Sequence, residues 1–143
     1  MAARKGSAYW DGDLQTGGGR LTVGEDAWEQ RYTFRSRFED GPGTNAEELI
    51  AAAHASCFNM ALVNVLGESG YEPRSVRTTA RAHLRNVDGL PTIAQIELDT
   101  EGDVPGMDAD GFREFAERAR AGCAVSRALA GVREISVTAR LAA

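Results

Sequence analysis

The chain contains only two cysteines, Cys57 and Cys123, and they are the residues best suited to covalent chemistry. A cysteine attacks as its thiolate, and a free thiol is largely protonated at neutral pH, so a reactive cysteine needs a positive or hydrogen-bonding environment. The two residues are far apart in the sequence, which excludes a C-x-x-C redox motif. A disulfide between them requires their Cα atoms to approach within about 7 Å, and the sequence leaves this open.

Polar residues surround Cys57 in the sequence. His54 lies one helical turn before it, and Ser56 and Asn59 lie close beside it. A free cysteine is usually a small buried core residue, and this polar neighbourhood argues against that interpretation. His54 and Cys57 could also act as the base and nucleophile of a hydrolase, although two groups on one helix are poorly arranged for acyl transfer.

Cys123 lies between a predicted helix, for which Gly122 is a suitable C′ residue, and a short helical segment at 125–129. If Cys123 caps the short segment, backbone N–H groups would stabilise its thiolate and lower its pKa. The alternative is a small residue that fills a tight turn. The two cysteines and the histidines His54 and His83 lack the paired short spacings of zinc ligands, so we expect no metal.

A helix predicted over residues 44–66 carries Cys57. Asn45 is a suitable N-cap, and Glu48, three residues later, can close a capping box. The helix is apolar almost all round, which is typical of a buried helix, and polar residues in its middle argue against a membrane span. One sheet covers only one side of such a helix. Either the second predicted helix or a second copy of the chain must cover the other side, and a dimer is the more economical interpretation.

Alternating apolar and polar residues predict strands before and after this helix. The predicted strands are 7–11, 20–23, 30–38, 76–85, 93–101 and 135–141. Arginines on the fourth strand face carboxylates on the fifth, as an antiparallel hairpin can use for cross-strand pairs, each worth up to about 1 kcal/mol. A second helix begins at the N-cap Asp108. This order of elements predicts an α+β fold with antiparallel sheet.

Length and composition favour one globular domain over residues 1–143. The net charge of −5 argues against binding to nucleic acid, which depends on a basic surface. The N-terminal residues lack the apolar core of a signal peptide, and we expect a cytoplasmic protein that does not bind membranes. In that reducing compartment a cysteine pair is more often catalytic or metal-binding than a permanent disulfide.

Several motifs together resemble the OsmC/Ohr family of thiol-dependent hydroperoxide reductases. They are the Tyr9-Trp10-Asp11-Gly12 start, RFEDGPGTN, GTNAEELIAAAHASCFNMAL and AGCAVSRAL. The likeness covers essentially the whole chain, and His54 favours the OsmC branch over the Ohr branch. One departure is Ala124, which stands where many relatives have proline after the second cysteine.

The resemblance implies an OsmC-like fold, in which antiparallel sheets wrap around the long central helices of an intertwined homodimer. It implies a peroxidase of oxidative and osmotic stress defence, with Cys57 as the peroxidatic cysteine and Cys123 as the resolving one. Arg37 and Glu47 would form the charged pair that organises Cys57. The substrates would be organic hydroperoxides, and more slowly hydrogen peroxide. No cofactor is implied, but an external dithiol, lipoyl-type or thioredoxin-like, must reduce the disulfide. The apolar residues Phe38, Phe58, Met60 and Leu62 support the organic substrates. 

The spacing of Glu47 and Cys57 indicates whether one chain can bring both residues into the same active site. Ten residues of helix separate them, a rise of about 15 Å, so Glu47 cannot easily reach the cysteine of its own helix. An antiparallel partner helix would bring the two together, which favours a site shared between two copies. The rival interpretation is a binding module without chemistry, whose arginine-rich strand contacts an acidic partner.

Overall fold

The computed structural model describes all 143 residues, and these form two compact units, Met1–Leu49 and Ile50–Ala143. The boundary falls within the central helix, so that only the first residues of this helix belong to the first unit. The expectation of a single domain over the whole chain stays a prediction.

Three short antiparallel strands form the sheet of the first unit, in the order β1-β2-β3. They are β1 (Gly6–Asp11), β2 (Gly18–Val23) and β3 (Trp28–Tyr32). The first two confirm the predicted strands. Gly19 on β2 is required for close packing, because a Cβ there would lie 2.6 Å from the ring of Tyr32.

The third predicted strand is wrong beyond Tyr32, because Phe34–Phe38 forms a helical turn, α1. Thr33 caps this turn, since its side chain accepts a hydrogen bond from the Ser36 backbone N–H and the Ser36 side chain accepts one from the Thr33 N–H. The spacing of Phe34 and Phe38 fits the alternation of a strand as well as it fits the i, i+4 spacing of a helix. In the structure their ring centroids lie 5.0 Å apart, as neighbours on one helical face. The capping residues therefore decide the structure here.

The central helix α2 spans Ala46–Glu68. The predicted N-cap is confirmed, because Asn45 Oδ1 accepts a 2.8 Å hydrogen bond from the Glu48 backbone N–H. The second hydrogen bond of the predicted capping box, from the Asn45 backbone N–H to the Glu48 side chain, is wrong. The Glu48 carboxylate accepts a hydrogen bond from the Thr44 hydroxyl instead. Both interactions satisfy polar groups at the start of the helix.

Within one chain, α2 is buried along one face only. His54, Phe58, Leu62 and Leu66 recur every four residues and are 0% exposed, whereas Met60 is 73% exposed. Complete burial of the helix is therefore not achieved by a single chain. The length and composition of α2 would allow it to cross a membrane, and 22% of its most apolar 18-residue window is buried. The core helix of a soluble protein can have the same length and composition, so this is weak evidence for a membrane span.

The second unit contains the other sheet, with strand order β4-β5-β6. Its strands are β4 (Ser75–Val87), β5 (Leu90–Asp103) and β6 (Glu134–Leu141). β4 and β5 form the predicted antiparallel hairpin, in which Arg77 lies opposite Glu101 and Arg81 opposite Glu97. The ion pairs of Asp99 and Glu101, however, are made with Arg140 of β6.

The last strand corrects the prediction of a purely antiparallel sheet, because β6 pairs with β5 in parallel. Parallel pairing needs a crossover connection. It is supplied by α3 (Ala109–Gly122) and α4 (Ala124–Ala128). Asp108 is the N-cap of α3 as predicted. Gly122 is the last residue of α3 rather than its C′ residue, and Cys123 both ends α3 and begins α4.

The core of the second unit lies between α2, α3 and this sheet. Its fully buried members are apolar and come from all three. They include Phe58, Leu62, Leu66, Leu98, Phe112 and Ala116. This packing sets the position of the C-terminal end of α3, and with it the position of Cys123.

Candidate active site

The fold brings the two cysteines together in the second unit. Cys57 projects from α2 and is partly exposed, whereas Cys123, at the junction of α3 and α4, is 1% exposed. Both are free thiols, and the Cys123 side chain lies close enough to lower the pKa of Cys57. Residues remote in the sequence are thus neighbours, as a reversible disulfide between them requires.

The surroundings shift the pKa values of the two thiols in opposite directions. Burial raises the pKa of Cys57, but the Cys123 thiol and the backbone N–H groups of Val125 and Ala124 stabilise its thiolate, and the net pKa is lowered. Burial raises the pKa of Cys123, and its hydrogen bond to Cys57 raises it further, against the opposing effect of Ser126. Cys57 is therefore the more nucleophilic sulfur, and Cys123 holds its proton.

The backbone N–H groups at the start of α4 act on both cysteines. Cys123 is the N-cap residue, but its side chain makes no capping hydrogen bond. Burial raises the pKa of Cys123 and outweighs the N–H groups of Ser126 and Val125, which act to lower it. The N–H groups of Val125 and Ala124 also lower the pKa of Cys57, where the net pKa is lowered. The residue type at position 124 matters here because a proline in place of Ala124 would have no N–H to donate.

Replacing Ala124 by proline tests this donor. We expect Ala124→Pro to raise the pKa of Cys57 and shift its titration to higher pH, because proline removes one stabilising N–H. The helix itself should form, since proline is favoured at the first helical position and Cys123 already has extended backbone angles. The ultraviolet absorbance of the thiolate as a function of pH measures the shift. An unchanged midpoint would show that this N–H contributes nothing.

The predicted charged pair is present in the first unit. Arg37 of α1 donates from Nε and Nη2 to the same oxygen of Glu47, Oε1, at 3.2 and 2.8 Å. Two guanidinium N–H donors thus bind one carboxylate oxygen. The Glu47 side chain is 11% exposed and that of Arg37 is 41% exposed, so the guanidinium has an edge free for a ligand. This pair belongs to the first unit, whereas the two cysteines belong to the second.

Next to Arg37 lies an apolar cavity of about 540 Å³. Its lining is aromatic and aliphatic apart from Arg37 and a few polar groups, and includes Trp10, Leu14, Leu21, Tyr32, Phe34 and Leu49. Of the four apolar residues that the sequence suggested, Phe38 lines this cavity, whereas Phe58 and Leu62 are fully buried core residues. The sequence could not reveal the cavity because its walls come from separate elements.

His54 is not arranged as a base for Cys57. It is 0% exposed, and its Nε2 lies 2.7 Å from the hydroxyl oxygen of Ser126 on α4. Burial lowers the pKa of His54, and its Nδ1 has no hydrogen-bond partner. The hydrolase pair considered from the sequence is thus replaced by a histidine–serine pair. Sequence analysis missed Ser126, although its position three residues after a helix-capping cysteine was a usable signal.

The sequence is similar to characterised protein families over most of its length. A family model described as OsmC-like protein matches residues 39–138. Peroxiredoxin OsmC of Escherichia coli strain K12 is 46% identical over 127 residues, which cover 88% of this chain and 89% of the relative. The chain belongs to the OsmC family. The family assignment made from the sequence motifs is confirmed.

Solved structures of OsmC proteins have the same fold. An OsmC-like protein of unknown function from Vibrio cholerae superposes with a TM-score of 0.77, at 13% identity, over 98% of this chain and all of the other. An organic hydroperoxide resistance protein OsmC from Legionella pneumophila gives a TM-score of 0.70 at 19% identity over all of both chains. At these identities the likeness concerns the fold, and the predicted OsmC-like α+β fold is confirmed.

Proposed function

We propose that this OsmC-family protein is a thiol-dependent peroxidase that reduces organic hydroperoxides, with Cys57 as the attacking cysteine and Cys123 as the resolving cysteine. The observation that carries the proposal is the pair of adjacent free thiols, in which the more accessible sulfur has the lowered pKa and the buried one the raised pKa. A peroxidase needs this asymmetry, because one sulfur must attack first and the other must wait as a thiol.

The reaction proceeds in three steps. The Cys57 thiolate attacks the distal peroxide oxygen, the O–O bond breaks, and the leaving alkoxide takes a proton to become an alcohol. Cys57 is then a sulfenic acid. Cys123 attacks this sulfur, the S–O bond breaks, water leaves and a disulfide forms. An external dithiol reduces the disulfide by thiol–disulfide exchange and is itself oxidised.

Arg37 and Glu47 complete the site from a second copy of the chain in this proposal. Ten residues of α2, about 15 Å of helix, separate Glu47 from Cys57, so an antiparallel partner helix suits the chemistry better than the same helix. The free edge of Arg37 would bind the peroxide oxygens and favour the thiolate. A homodimer also accounts for the exposed apolar side chains of α2, such as Met60.

The apolar cavity beside Arg37 supports organic hydroperoxides as the substrates. An alkyl or aryl group gains free energy by leaving water for such a cavity, whereas hydrogen peroxide has no apolar group to bury. We propose that hydrogen peroxide is reduced more slowly than organic hydroperoxides. The comparison of cumene or tert-butyl hydroperoxide with hydrogen peroxide in steady-state turnover tests this order.

The cycle needs an external dithiol to reduce the disulfide, and such a dithiol is kept reduced in a reducing compartment. We propose a lipoyl-type or thioredoxin-like dithiol as the reductant, a soluble cytoplasmic protein, and no cofactor, metal, nucleic acid or membrane as a partner. The negative net charge of −5 supports the absence of nucleic acid. Turnover with dihydrolipoamide compared with reduced thioredoxin distinguishes the two reductants.

Thiol counting tests the proposed function directly. We expect one equivalent of cumene hydroperoxide to remove both free thiols of each chain, because sulfenic acid formation at Cys57 is followed by disulfide formation with Cys123. Thiol titration before and after the addition measures the loss, and mass spectrometry identifies the disulfide. Retention of both thiols would favour a binding module without chemistry.

A further inference from the structure

His54 is a buried titratable residue that has no role in the proposed peroxidase cycle. It is 0% exposed, and its Nε2 lies 2.7 Å from the hydroxyl oxygen of Ser126, which is 7% exposed. Its Nδ1 has no hydrogen-bond partner. A buried polar atom without a partner is destabilising, so an apolar residue would serve packing better at this position. The pair therefore calls for a chemical explanation.

Ser126 connects His54 to the resolving cysteine. Cys123 is the N-cap residue of α4, and Ser126 is the third residue of that helix. Burial raises the pKa of Cys123, while the backbone N–H and the hydroxyl of Ser126 both act to lower it. The same hydroxyl thus pairs with the imidazole of His54 and influences the ionisation of Cys123, three residues before it in the chain.

The attack of Cys123 on the Cys57 sulfenic acid requires a base. Cys123 must lose its proton to attack the oxidised Cys57, yet its raised pKa keeps it protonated. Burial lowers the pKa of His54, so that its imidazole is neutral and able to accept a proton at neutral pH. Burial is the only resolved cause of that shift, and no charged side chain contributes to it.

We propose that His54 and Ser126 form a proton relay that deprotonates Cys123 as it attacks the Cys57 sulfenic acid. The inference rests on the proposed peroxidase function. The Cys123 thiol gives its proton to the Ser126 oxygen, and the Ser126 hydroxyl gives its own to His54 Nε2. The S–S bond forms, the S–O bond of the sulfenic acid breaks, and the leaving hydroxide takes a proton from the solvent to become water, which balances the proton that His54 later returns to the solvent. Cys123 is oxidised and Cys57 is reduced. Loss of the proton from His54 restores the relay.

Charged groups lie beside Ser126. A cavity of about 470 Å³ is lined by Ser126 together with Arg120, Arg127, Arg133 and Glu134. Water in this cavity can exchange protons with the relay. His54 acts through Ser126 and is a positioning and proton-holding residue, whereas Ser126 is the group that accepts the proton of Cys123 in the relay.

The relay predicts a characteristic pH dependence of disulfide formation. We expect Ser126→Ala and His54→Gln to slow the conversion of sulfenic acid to disulfide by about 10- to 100-fold at neutral pH, because the internal base is lost. The glutamine keeps a hydrogen-bonding group but cannot take up a proton. The deficit should close at high pH, where Cys123 ionises without help. Rapid mixing with cumene hydroperoxide, followed by acid quench and mass spectrometry, measures sulfenic acid and disulfide separately.

Matched variants separate the relay from a structural role. Ser126→Thr keeps a hydroxyl and should restore much of the rate. His83→Gln alters the only other histidine, which pairs with Glu97 on the neighbouring strand, and should change neither step. Slowing by the same factor at every pH, or no slowing, would overturn the relay.

The wild-type protein offers a test that needs no variant. Its disulfide-forming step should vary little with pH between the lowered pKa of His54 and the raised pKa of Cys123. A rise of about tenfold per pH unit over that range, as expected for removal of the proton by hydroxide, would refute the relay. If sulfenic acid never forms on Cys57, the peroxidase proposal fails instead, so the two failures are distinguishable.

Discussion

Replacing Cys57 by serine should reduce hydroperoxide turnover by at least about a thousandfold, since a hydroxyl at neutral pH is a far weaker nucleophile than a thiolate. The structure makes Cys57 the sulfur with the lowered pKa and the more exposed of the two. Turnover of cumene hydroperoxide with dihydrolipoamide as reductant measures the loss.

Cys123→Ser is the matched control for this variant. It should still form a sulfenic acid on Cys57 in one turnover, because the first step does not consume Cys123, but it should fail to form the internal disulfide. Trapping of the sulfenic acid by dimedone distinguishes the two variants. The assignment of roles would be reversed if the Cys57→Ser protein formed the sulfenic acid and the Cys123→Ser protein did not.

Loss of Arg37 should have the second largest effect. We expect Arg37→Ala to lower kcat/KM for organic hydroperoxides by about 100- to 1000-fold, the range found when one preorganised electrostatic donor is removed from an active site. Arg37→Lys should recover little, because an ammonium cannot reproduce two guanidinium N–H donors on Glu47 Oε1. Steady-state kinetics with each variant measure the effect.

A mixed dimer tests whether the site is shared between two chains. Chains carrying Cys57→Ser and chains carrying Glu47→Ala should each be inactive alone, yet their heterodimer should recover one working site. The reason is that one interface then keeps both an intact cysteine and an intact charged pair. Absence of any recovery in a heterodimer verified by mass spectrometry would contradict a shared site. The pH of the assay is held constant so that the ionisation of Cys57 does not vary.

Local sequence signals predicted most elements correctly because these elements are stabilised by residues close in the chain. The Asn45 cap of α2 and the Asp108 cap of α3 are local hydrogen bonds, and both are confirmed. The hairpin of β4 and β5 follows from alternation and from a short turn. The segment from Phe34 to Phe38 was mistaken for strand because period-two alternation and i, i+4 spacing coincide over so few residues.

Motif recognition identified the residues of the candidate site but not their surroundings. Cys57, Cys123, Arg37 and Glu47 were predicted as site residues from the sequence, and the structure arranges them as two pairs. The N–H groups of α4 act on both cysteines, and burial decides that the net pKa of Cys123 is raised while that of Cys57 is lowered. No spacing along the chain contains that information.

The amino-acid sequence by itself determined the family, the fold class and the reactive residue types, because motifs, caps and hydrophobic periodicity are properties of neighbouring residues. Only the tertiary structure decided the parallel pairing of β6, the direction in which the thiol pKa values shift, and the contact between His54 and Ser126. These depend on long-range packing of α2, α3 and α4, which brings together groups that the chain keeps far apart.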